Sequence, residues 1–288
     1  MATTIGNARL AGRLRPALQW PLIFVLPYLA AFLLLVVYPV GYGFWLGHAP
    51  STYKLLWNDQ TYRQAIINTL LYVGIGVNLK LVLALLLSGF FAVDRWWIKA
   101  LLPVFLLPWA IPAVPGMLSI HYLLDSQFGM LNTLLADIGI SHPPDWLVNY
   151  KWAMTAAIGA HIWKWLPFWT LILLAARMAI SKDIYEAGDV DGAVGIRRFL
   201  FITFPLMRNV YLTSTLLSTI WSLSDFNTIR FITAGGPADG THVFATLGIQ
   251  YAFEIGNINE GVAVALSALP VLIPLIVLLV RWLRKEQY

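Results

Sequence analysis

The chain has 288 residues, of which 59% are hydrophobic and only 11% are charged. Soluble domains carry about 25% charged residues, so this composition excludes an ordinary soluble domain and indicates an integral membrane protein. The lack of cysteine excludes disulfides, thiolate catalysis and cysteine-ligated zinc or iron–sulfur sites. We attribute the net charge of +5 to the positive-inside bias of membrane proteins rather than to nucleic-acid binding.

Long apolar runs, taken in chain order, predict six membrane-spanning helices. About 20 apolar residues suffice to cross a hydrocarbon core of about 30 Å, and the runs are too long and continuous for β-barrel strands. The first run is also too long for the apolar region of a cleaved signal peptide. We predict an all-α membrane protein with a cytoplasmic N-terminal segment, residues 1–19, and one transmembrane domain, residues 20–288. The predicted spans are 20–46, 66–93, 100–124, 154–176, 210–232 and 262–282.

The distribution of lysine and arginine predicts the orientation. Thirteen of the 19 basic residues fall in four segments of one side, which are the N-terminal segment, 94–99, 177–209 and the C-terminal tail. The loops of the opposite side hold three, at Lys54, Arg63 and Lys151. This bias predicts that both termini and the loop 177–209 are cytoplasmic.

The segment Ser181–Pro205 is the longest polar interruption between two apolar runs. Apolar residues from Ile184 to Val194 recur at helical spacing, and Gly192 and Gly195 are suited to end a helix. The pattern predicts a short amphipathic helix, a turn and a second apolar helix broken near its proline. On spacing alone, a solvated loop fits equally well.

This segment resembles the cytoplasmic signature loop of binding-protein-dependent ABC importer permeases. The family pattern is Glu-Ala-Ala, three residues, Gly, nine residues and Ile-x-Leu-Pro, and the chain follows it from Glu186 through Gly192 to Pro205. Two positions depart, because Gly188 replaces an alanine and Phe204 a leucine. The segments WKWLPFWT and FNTIRFITAGGPADGT are similar to the carbohydrate-type branch, which includes maltose and glycerol-3-phosphate permeases.

The resemblance implies a permease subunit in a bacterial or archaeal cytoplasmic membrane, for a sugar, a polyol or a related solute. Such a subunit pairs with a second permease and two ATPase subunits, and an extracytoplasmic binding protein delivers its solute. The helix around Glu186–Ala193 is then a coupling helix with a small-residue face that docks on an ATPase. The residues assigned to coupling are Tyr185, Glu186, Ala187, Gly188, Asp191, Gly192, Ala193 and Pro205.

Two arginines beside this helix allow two interpretations. Arg197 and Arg198 either pair back to Asp189 or Asp191 or face lipid phosphates.

The chain has no phosphate-binding motif of its own. No Gly-Lys dipeptide occurs, so a Walker A loop is excluded, and we expect ATP and magnesium on the partner subunits and no cofactor here. The five histidines are scattered, which predicts no metal site. We expect no enzymatic activity, because the acidic cluster of the loop has no histidine nearby. A self-sufficient secondary transporter or channel and, less readily, a membrane-embedded enzyme remain the alternatives.

Polar groups inside membrane spans are candidates for the solute path. Lys164 alternatively snorkels or meets a carboxylate, Asp225 and Arg230 alternatively pair with each other, and the tryptophans alternatively serve packing. The candidates are Asn78, Lys80, Trp163, Lys164, Trp165, Ser224, Asp225, Asn227 and Arg230.

The loop after the fifth span carries a glycine-rich turn. Gly235, Gly236 and Pro237 force the turn, and the resemblance implies that they face the binding protein. The apolar section 243–253 that follows fits a re-entrant helix or a plain external loop equally well.

Overall fold

The computed structural model describes residues 24–285, and within that range the chain is helical and contains no strand, so the predicted all-α class is confirmed. The predicted segment 1–19, residues 20–23 of the first predicted span and residues 286–288 lie outside the described residues. The chain divides into two compact units, residues 1–50 and residues 51–288, which are described separately.

Helix α1, Phe24–Gly47, forms the described part of the first unit. It widens into a π-helical turn at Leu33–Val37, just ahead of Pro39. Proline has no amide hydrogen and its ring crowds the preceding turn, so a wider turn relieves the conflict, and the Tyr38 amide donates to the carbonyl of Leu33. Most of its large apolar side chains are exposed, as suits a helix whose solvent is lipid.

The second unit is a succession of helices. Each is numbered here in chain order, and α9 combines three consecutive helical segments of which the middle one is π-helical. The helices are α2 Pro50–Asn58, α3 Gln60–Phe91, α4 Trp96–Ala110, α5 Ala113–Leu123, α6 Met130–Asp137, α7 Tyr150–Met178, α8 Lys182–Val190, α9 Ile196–Arg198 with Phe199–Thr203 and Phe204–Leu223, α10 Phe226–Ile232, α11 Phe244–Ile249 with the π-helical Gln250–Glu254, α12 Ile258–Leu266 and α13 Leu269–Lys285.

The two longest helices, α3 and α7, form the centre of the second unit. Small residues such as Ala84 and Ala157 are fully buried between them, which permits close packing of the backbones. Trp169 of α7 is 2% exposed and fills the space toward α9, where Met207 is fully buried. This core fixes the polar groups that α3 and α7 carry at mid-length.

The third predicted span, 100–124, is not one straight helix. Helices α4 and α5 meet at an angle of 93°. Ile111 between them is extended, with φ −64° and ψ 132°, and Pro112 follows it. The proline ring disfavours helical geometry in the residue before it, so α4 must end there.

The second helix of the polar segment is not broken at Pro205. Instead, α9 passes this residue through the π-helical turn Phe199–Thr203, in which the Phe204 amide donates to the carbonyl of Phe199. This is the same adaptation as the one ahead of Pro39 in α1. As a result α9 begins at Ile196, well before the predicted span at 210.

The fifth predicted span, 210–232, is interrupted at Ser224 and Asp225. The Ser224 hydroxyl donates back to the carbonyls of Ile220 and Trp221 and so closes the end of α9. Asp225 then caps α10, because its Oδ1 accepts from the Thr228 amide at 3.2 Å. The break therefore brings a carboxylate to the mid-length of the bundle.

Helices α11 and α12 cross at two glycines. A Cβ atom placed on Gly261 would lie 2.5 Å from the carbonyl oxygen of Gly248 and 2.7 Å from the amide of Ala252, so only glycine fits there. Phe244, Leu247 and Tyr251 bury their side chains against Leu56 and Ala65. The apolar section 243–253 is thus a packed helix rather than a plain loop.

Four helical stretches have the length and hydropathy to cross a membrane, and the bent α4–α5 pair makes a fifth if it counts as one span. The four are Phe24–Gly47, Gln60–Phe91, Tyr150–Met178 and Ile258–Trp282. Helix α9 is long enough but more polar, because serines and threonines recur along it. The predicted number of six spans therefore depends on α9.

Candidate coupling surface and membrane polar network

Helix α8 forms within the polar segment, from Lys182 to Val190. The hydroxyl of Ser181 accepts from the Asp183 amide at 3.2 Å, and Asp183 places negative charge in the first turn, where the helix dipole favours it. The helix stops at Asp191 because Gly192 has φ 73°, a conformation that side chains oppose. Ala193, predicted to belong to the helix, lies beyond its end.

One face of α8 packs on α9. Gly188 is buried, and a Cβ atom there would lie 2.3 Å from Cδ1 of Ile202. The Tyr185 hydroxyl lies 3.3 Å from Oγ1 of Thr203, and the Arg198 guanidinium covers the Tyr185 ring while it pairs with Asp189. Gly188 thus lies on the inner face of α8, where the absence of a side chain lets α8 approach α9.

The other face of α8 is exposed. Val190 is 88% exposed and Ile184 is 42% exposed, and Glu186 and Ala187 lie on the same open surface. Asp191, Gly192 and the ring of Pro205 are also exposed, and Ala193 is half-buried. The predicted coupling residues thus divide into an outward group and an inward pair, Tyr185 and Gly188.

A buried polar network joins α3, α7 and the break between α9 and α10. Asp225 Oδ2 accepts from the Tyr72 hydroxyl at 2.7 Å, the Thr228 hydroxyl at 2.7 Å and His161 Nδ1 at 2.9 Å. His161 Nε2 lies 2.8 Å from Lys80 Nζ and 3.0 Å from the Ser222 hydroxyl.

This network provides partners for a cation, Lys80, and an anion, Asp225. Burying either charge alone in a membrane would carry a large free-energy penalty. Lys80 is 1% exposed and His161 is 1% exposed, so neither has contact with water. A buried charge must be paired and hydrogen-bonded, and here the imidazole links the lysine to the carboxylate. Of the candidates for the solute path, Lys80 and Asp225 are thus engaged in holding helices together.

Lys164 has a different role. Its Nζ donates to the carbonyl oxygens of Pro108 at 2.9 Å, Trp109 at 3.1 Å and Ile111, all at the bend between α4 and α5. A helix leaves its last carbonyls without partners, and a buried cation at that end satisfies them and complements the dipole. The lysine neither snorkels nor meets a carboxylate, and it supports the bend instead.

The other candidates for the solute path are dispersed. Asn78 and Asn227 are exposed, and the Asn78 amide donates to the carbonyl of Gly74 at 2.7 Å. Arg230 pairs with Glu254 at 2.8 Å rather than with Asp225. Trp163 is exposed, whereas Trp165 lies half-buried against Trp221, with 5.7 Å between ring centroids.

Two of the cavities beside α9 are lined by candidates for the solute path. One of about 260 Å³ is lined by Asn78 of α3 and by Thr215 and Thr219 of α9. The other, of about 460 Å³, is lined by Ser224 and Phe226 at the break. Both have Leu223 in their walls, so Asn78 and Ser224 lie on the two sides of one apolar side chain.

The glycine-rich turn is stabilised by buried contacts within the turn and by hydrogen bonds from α3. Gly235 has φ 86° and is buried against His242, with no room for a Cβ atom. The Asn68 amide of α3 donates to the carbonyls of Gly240 and His242 at 2.7 and 2.8 Å. Gly236 and Pro237 are half-buried, and the exposed tip of the turn is Ala238 and Asp239. That this turn faces a binding protein stays a prediction.

Several of these polar residues escaped the sequence analysis. Asn68, Tyr72, His161 and Thr228 were not predicted to hold the bundle together. The signal available in the sequence was weak, since Tyr72 and His161 are isolated in apolar runs and nothing in the sequence pairs Asn68 or Thr228 with a partner. Only the three-dimensional structure brings these residues to Asp225 or to the turn.

Comparison with known proteins identifies the family. Residues 80–286 match the family described as binding-protein-dependent transport system inner membrane component. The chain belongs to this family. The resemblance recognised in the signature segment is thereby confirmed, and the chain is a multi-pass inner-membrane permease, a transport subunit rather than an enzyme.

Named relatives of this permease handle sugars and related compounds. The lactose transport system permease protein LacF of Rhizobium radiobacter is 30% identical over 76% of this chain and 78% of its own length. The trehalose/maltose transport system permease protein MalF of Thermococcus litoralis is 29% identical over 85% of this chain and 86% of its own. The relatives are thus of the carbohydrate type.

A solved structure has the same fold. A chain of a bacterial alginate ABC transporter, crystallised with a periplasmic protein that holds an alginate pentasaccharide, superposes with a TM-score of 0.83. The match covers 94% of this permease and 96% of that chain, at 21% identity.

Proposed function

We propose that this permease is one of two permease subunits of an ATP-driven importer for a sugar, a polyol or a related solute. It has six spans with both termini in the cytoplasm, and α9 is the fifth. The polarity of α9 is compatible with lipid, because its hydroxyls are satisfied within the helix. Thr213 donates to the carbonyl of Asn209, Thr215 to Tyr211 and Thr219 to Thr215, each at 2.8 Å.

The observation that carries this proposal is the exposed face of α8 in a chain of this family. Val190, Ile184 and Glu186 face outward while Gly188 packs α8 firmly on α9. An apolar surface that includes the carboxylate of Glu186, with Asp183 and Asp191 exposed beside it, and that is held on a well-packed short helix, suits a groove on another protein better than it suits water. We assign this face to an ATPase subunit, which binds the ATP and magnesium.

The solute path follows from which polar groups do not join one helix to another. Lys80, Asp225 and Lys164 link helices of the bundle, whereas Asn78 and Ser224 bond within their own helices and line cavities beside α9. Amide and hydroxyl groups beside aromatic rings match the hydroxyls and apolar faces of a sugar. The solute therefore passes along α9, between this chain and the second permease.

The binding protein meets the opposite side of the membrane. The turn that carries Ala238 and Asp239 is anchored to α3 through Asn68, so a force on its tip reaches the centre of the bundle. Through this connection, docking of the binding protein can change the position of α9.

The test is to purify the tagged chain from mild detergent and identify the proteins that accompany it. We expect a second permease and an ATPase, with ATP hydrolysis stimulated by a soluble binding protein. Glu186→Ala should lower the amount of co-purified ATPase or its stimulation, because it removes the carboxylate of the exposed face. Asp137→Ala, on the exposed end of α6, is the matched control and should have no effect.

Transport of solute by the isolated chain in liposomes without ATP would overturn the proposal and favour a self-sufficient transporter. Equal ATPase recovery from Glu186→Ala, with binding-protein stimulation unchanged, would remove α8 from the coupling role.

A further inference from the structure

A pocket of about 640 Å³ opens beside α8, where α3 and α7 end. Its polar wall includes Arg177 at the end of α7 and Lys182 at the start of α8, and Lys99, Arg198 and the carboxylate Asp94 also line it. Apolar side chains complete it, and Val93 and Met178 are 45% and 71% exposed. The pocket therefore combines cationic groups with an apolar surface at the level where two long apolar helices finish.

Two of the four cations are already neutralised. Lys99 pairs with Asp94 at 2.6 Å, and Arg198 pairs with Asp189. The pKa of Asp94 is lowered by its bond to Lys99 and, further, by Lys182, which is consistent with a positive potential in this region.

The other two cations have no carboxylate partner among residues 24–285. The Arg177 guanidinium is half-buried and reaches neutral groups alone, the Ser88 hydroxyl at 3.3 Å and the Leu85 carbonyl at 3.4 Å. It also lies 5.9 Å from the centre of the Phe199 ring. Lys182 makes no hydrogen bond or ion pair within the described part of the chain.

We propose that this pocket binds the phosphate of an anionic phospholipid, with Arg177 and Lys182 as the phosphate ligands. A guanidinium donates several hydrogen bonds in one plane to phosphate oxygens, and a lysine adds a mobile charge. The apolar wall favours a lipid over free phosphate, because Val93 and Met178 offer a surface to the glycerol and the first acyl carbons. Basic pockets between helices at the cytoplasmic side of a membrane are suited to such headgroups.

The location of the pocket means that a bound lipid would affect the position of α8. Lys182 is the first residue of α8, and Phe199 belongs to the π-helical turn of α9. A headgroup bound by both Arg177 and Lys182 would therefore hold the start of α8 against the end of α7. This proposal requires that the chain resides in a membrane, and it does not depend on the proposed importer function.

The experiment measures lipid retention on the purified full-length chain in neutral detergent by native mass spectrometry. Phosphatidylglycerol and phosphatidylcholine are added at equal concentration. We expect selective retention of phosphatidylglycerol, and a loss of affinity of about fivefold for each charge removed, about 25-fold in R177Q/K182Q. R177K keeps the charge and should retain most of the affinity.

Two controls distinguish loss of the binding site from a general loss of positive charge and from misfolding. K54Q/R63Q removes two exposed charges near the start of α3 and should leave the affinity unchanged. Helical content by circular dichroism should match among all variants, and the single change K182Q at an exposed position should still lower affinity about fivefold.

Any of four results would overturn the proposal. The first is equal retention of the two lipids, and the second is a loss of affinity in K54Q/R63Q as large as that in R177Q/K182Q. The third is displacement of phosphatidylglycerol by inorganic phosphate, which would make this a free-phosphate site. Loss of the lipid when the ATPase is added would assign the pocket to the ATPase and would also overturn it. Solute transport is not part of the readout, so failure here leaves the importer proposal intact.

Discussion

At Asp225 one carboxylate accepts from three side chains and also caps α10. The residue holds α3 through Tyr72 and α7 through His161, and it does so at the point where α9 is interrupted. Its hydrogen bonds within the network, rather than access to solvent, define its role, since His161 and, beyond it, Lys80 are buried.

Asp225→Asn should destabilise the folded chain by about 3 kcal/mol, because Lys80 is then left in the interior without a carboxylate. The measurement is the thermal unfolding of the purified chain, followed by tryptophan fluorescence. Asp239→Asn, in the exposed tip of the glycine-rich turn, should leave the midpoint within the error. An unchanged midpoint for Asp225→Asn would show that the network contributes little.

Lys164→Met should also destabilise, since it leaves the carbonyls of Pro108, Trp109 and Ile111 without their donor. Unsatisfied buried carbonyls cost about 1–3 kcal/mol. Methionine has a similar length and isolates the hydrogen bonds from the packing. Proteolysis at the α4–α5 bend should accelerate in this variant, and equal proteolysis rates would contradict the role assigned to Lys164.

For single residues, the sequence identifies important positions more reliably than it predicts the roles of their side chains. Lys80, Lys164 and Asp225 stand out because charges are rare in apolar runs. Their partners do not, because His161 and Tyr72 are unremarkable in sequence and lie 64 or more positions from Asp225. Only the tertiary contacts reveal that these candidates for solute binding stabilise the packing of the helices.

Among the elements, α8 depends on a short list of local interactions. It has nine residues, and an isolated helix of that length is marginal in water. Ser181 at its N-terminus and the packing of Gly188 on Ile202 are therefore needed to keep it ordered.

Ser181→Ala should weaken α8 by about 1 kcal/mol, because the Asp183 amide loses its acceptor. Hydrogen exchange of the α8 amides should become about fivefold faster. Ser181→Asp supplies an equally good acceptor and should restore slow exchange. If Ser181→Asp exchanges as fast as Ser181→Ala, capping does not stabilise this helix.

The crossing of α11 and α12 allows a matched pair of glycine substitutions. Gly261→Ala should destabilise by about 1–3 kcal/mol, since its Cβ meets backbone atoms of α11 that cannot move independently. Gly159→Ala in α7 has open space and should leave stability unchanged or raise it by up to about 1 kcal/mol. Thermal midpoints of the two variants in the same detergent are compared, and equal midpoints would refute the close contact.

The limits of helix prediction are visible in the same elements. The predicted coupling helix, Glu186–Ala193, begins four residues after α8 begins and ends three residues after α8 ends. The break at Ser224 was missed, since the polar residues around it, among them Ser224 and Asp225, were interpreted as groups inside one continuous span. The bend at Pro112 was missed because proline is tolerated inside membrane helices, and four of them occur between 103 and 115.

For the whole molecule, the orientation remains a prediction from the distribution of charge. The chain has no cysteine, so a single introduced cysteine is a unique reporter. Ser141→Cys, in the loop before α7, should react with a membrane-impermeant maleimide in intact cells. Val194→Cys, in the exposed loop after α8, should react only after permeabilisation. The reverse pattern would invert the topology and remove α8 from the cytoplasm.

The direct connection of α8 to α7 has a mechanical consequence. Only Ala179, Ile180 and Ser181 separate the two helices, and α7 has 29 residues, which corresponds to about 43 Å. Such a helix acts as a lever, so a tilt of about 10° about its middle would displace its two ends by about 4 Å in opposite directions. His161 lies near the middle of this lever and Lys164 one turn further along, so the two supports act as its fulcrum.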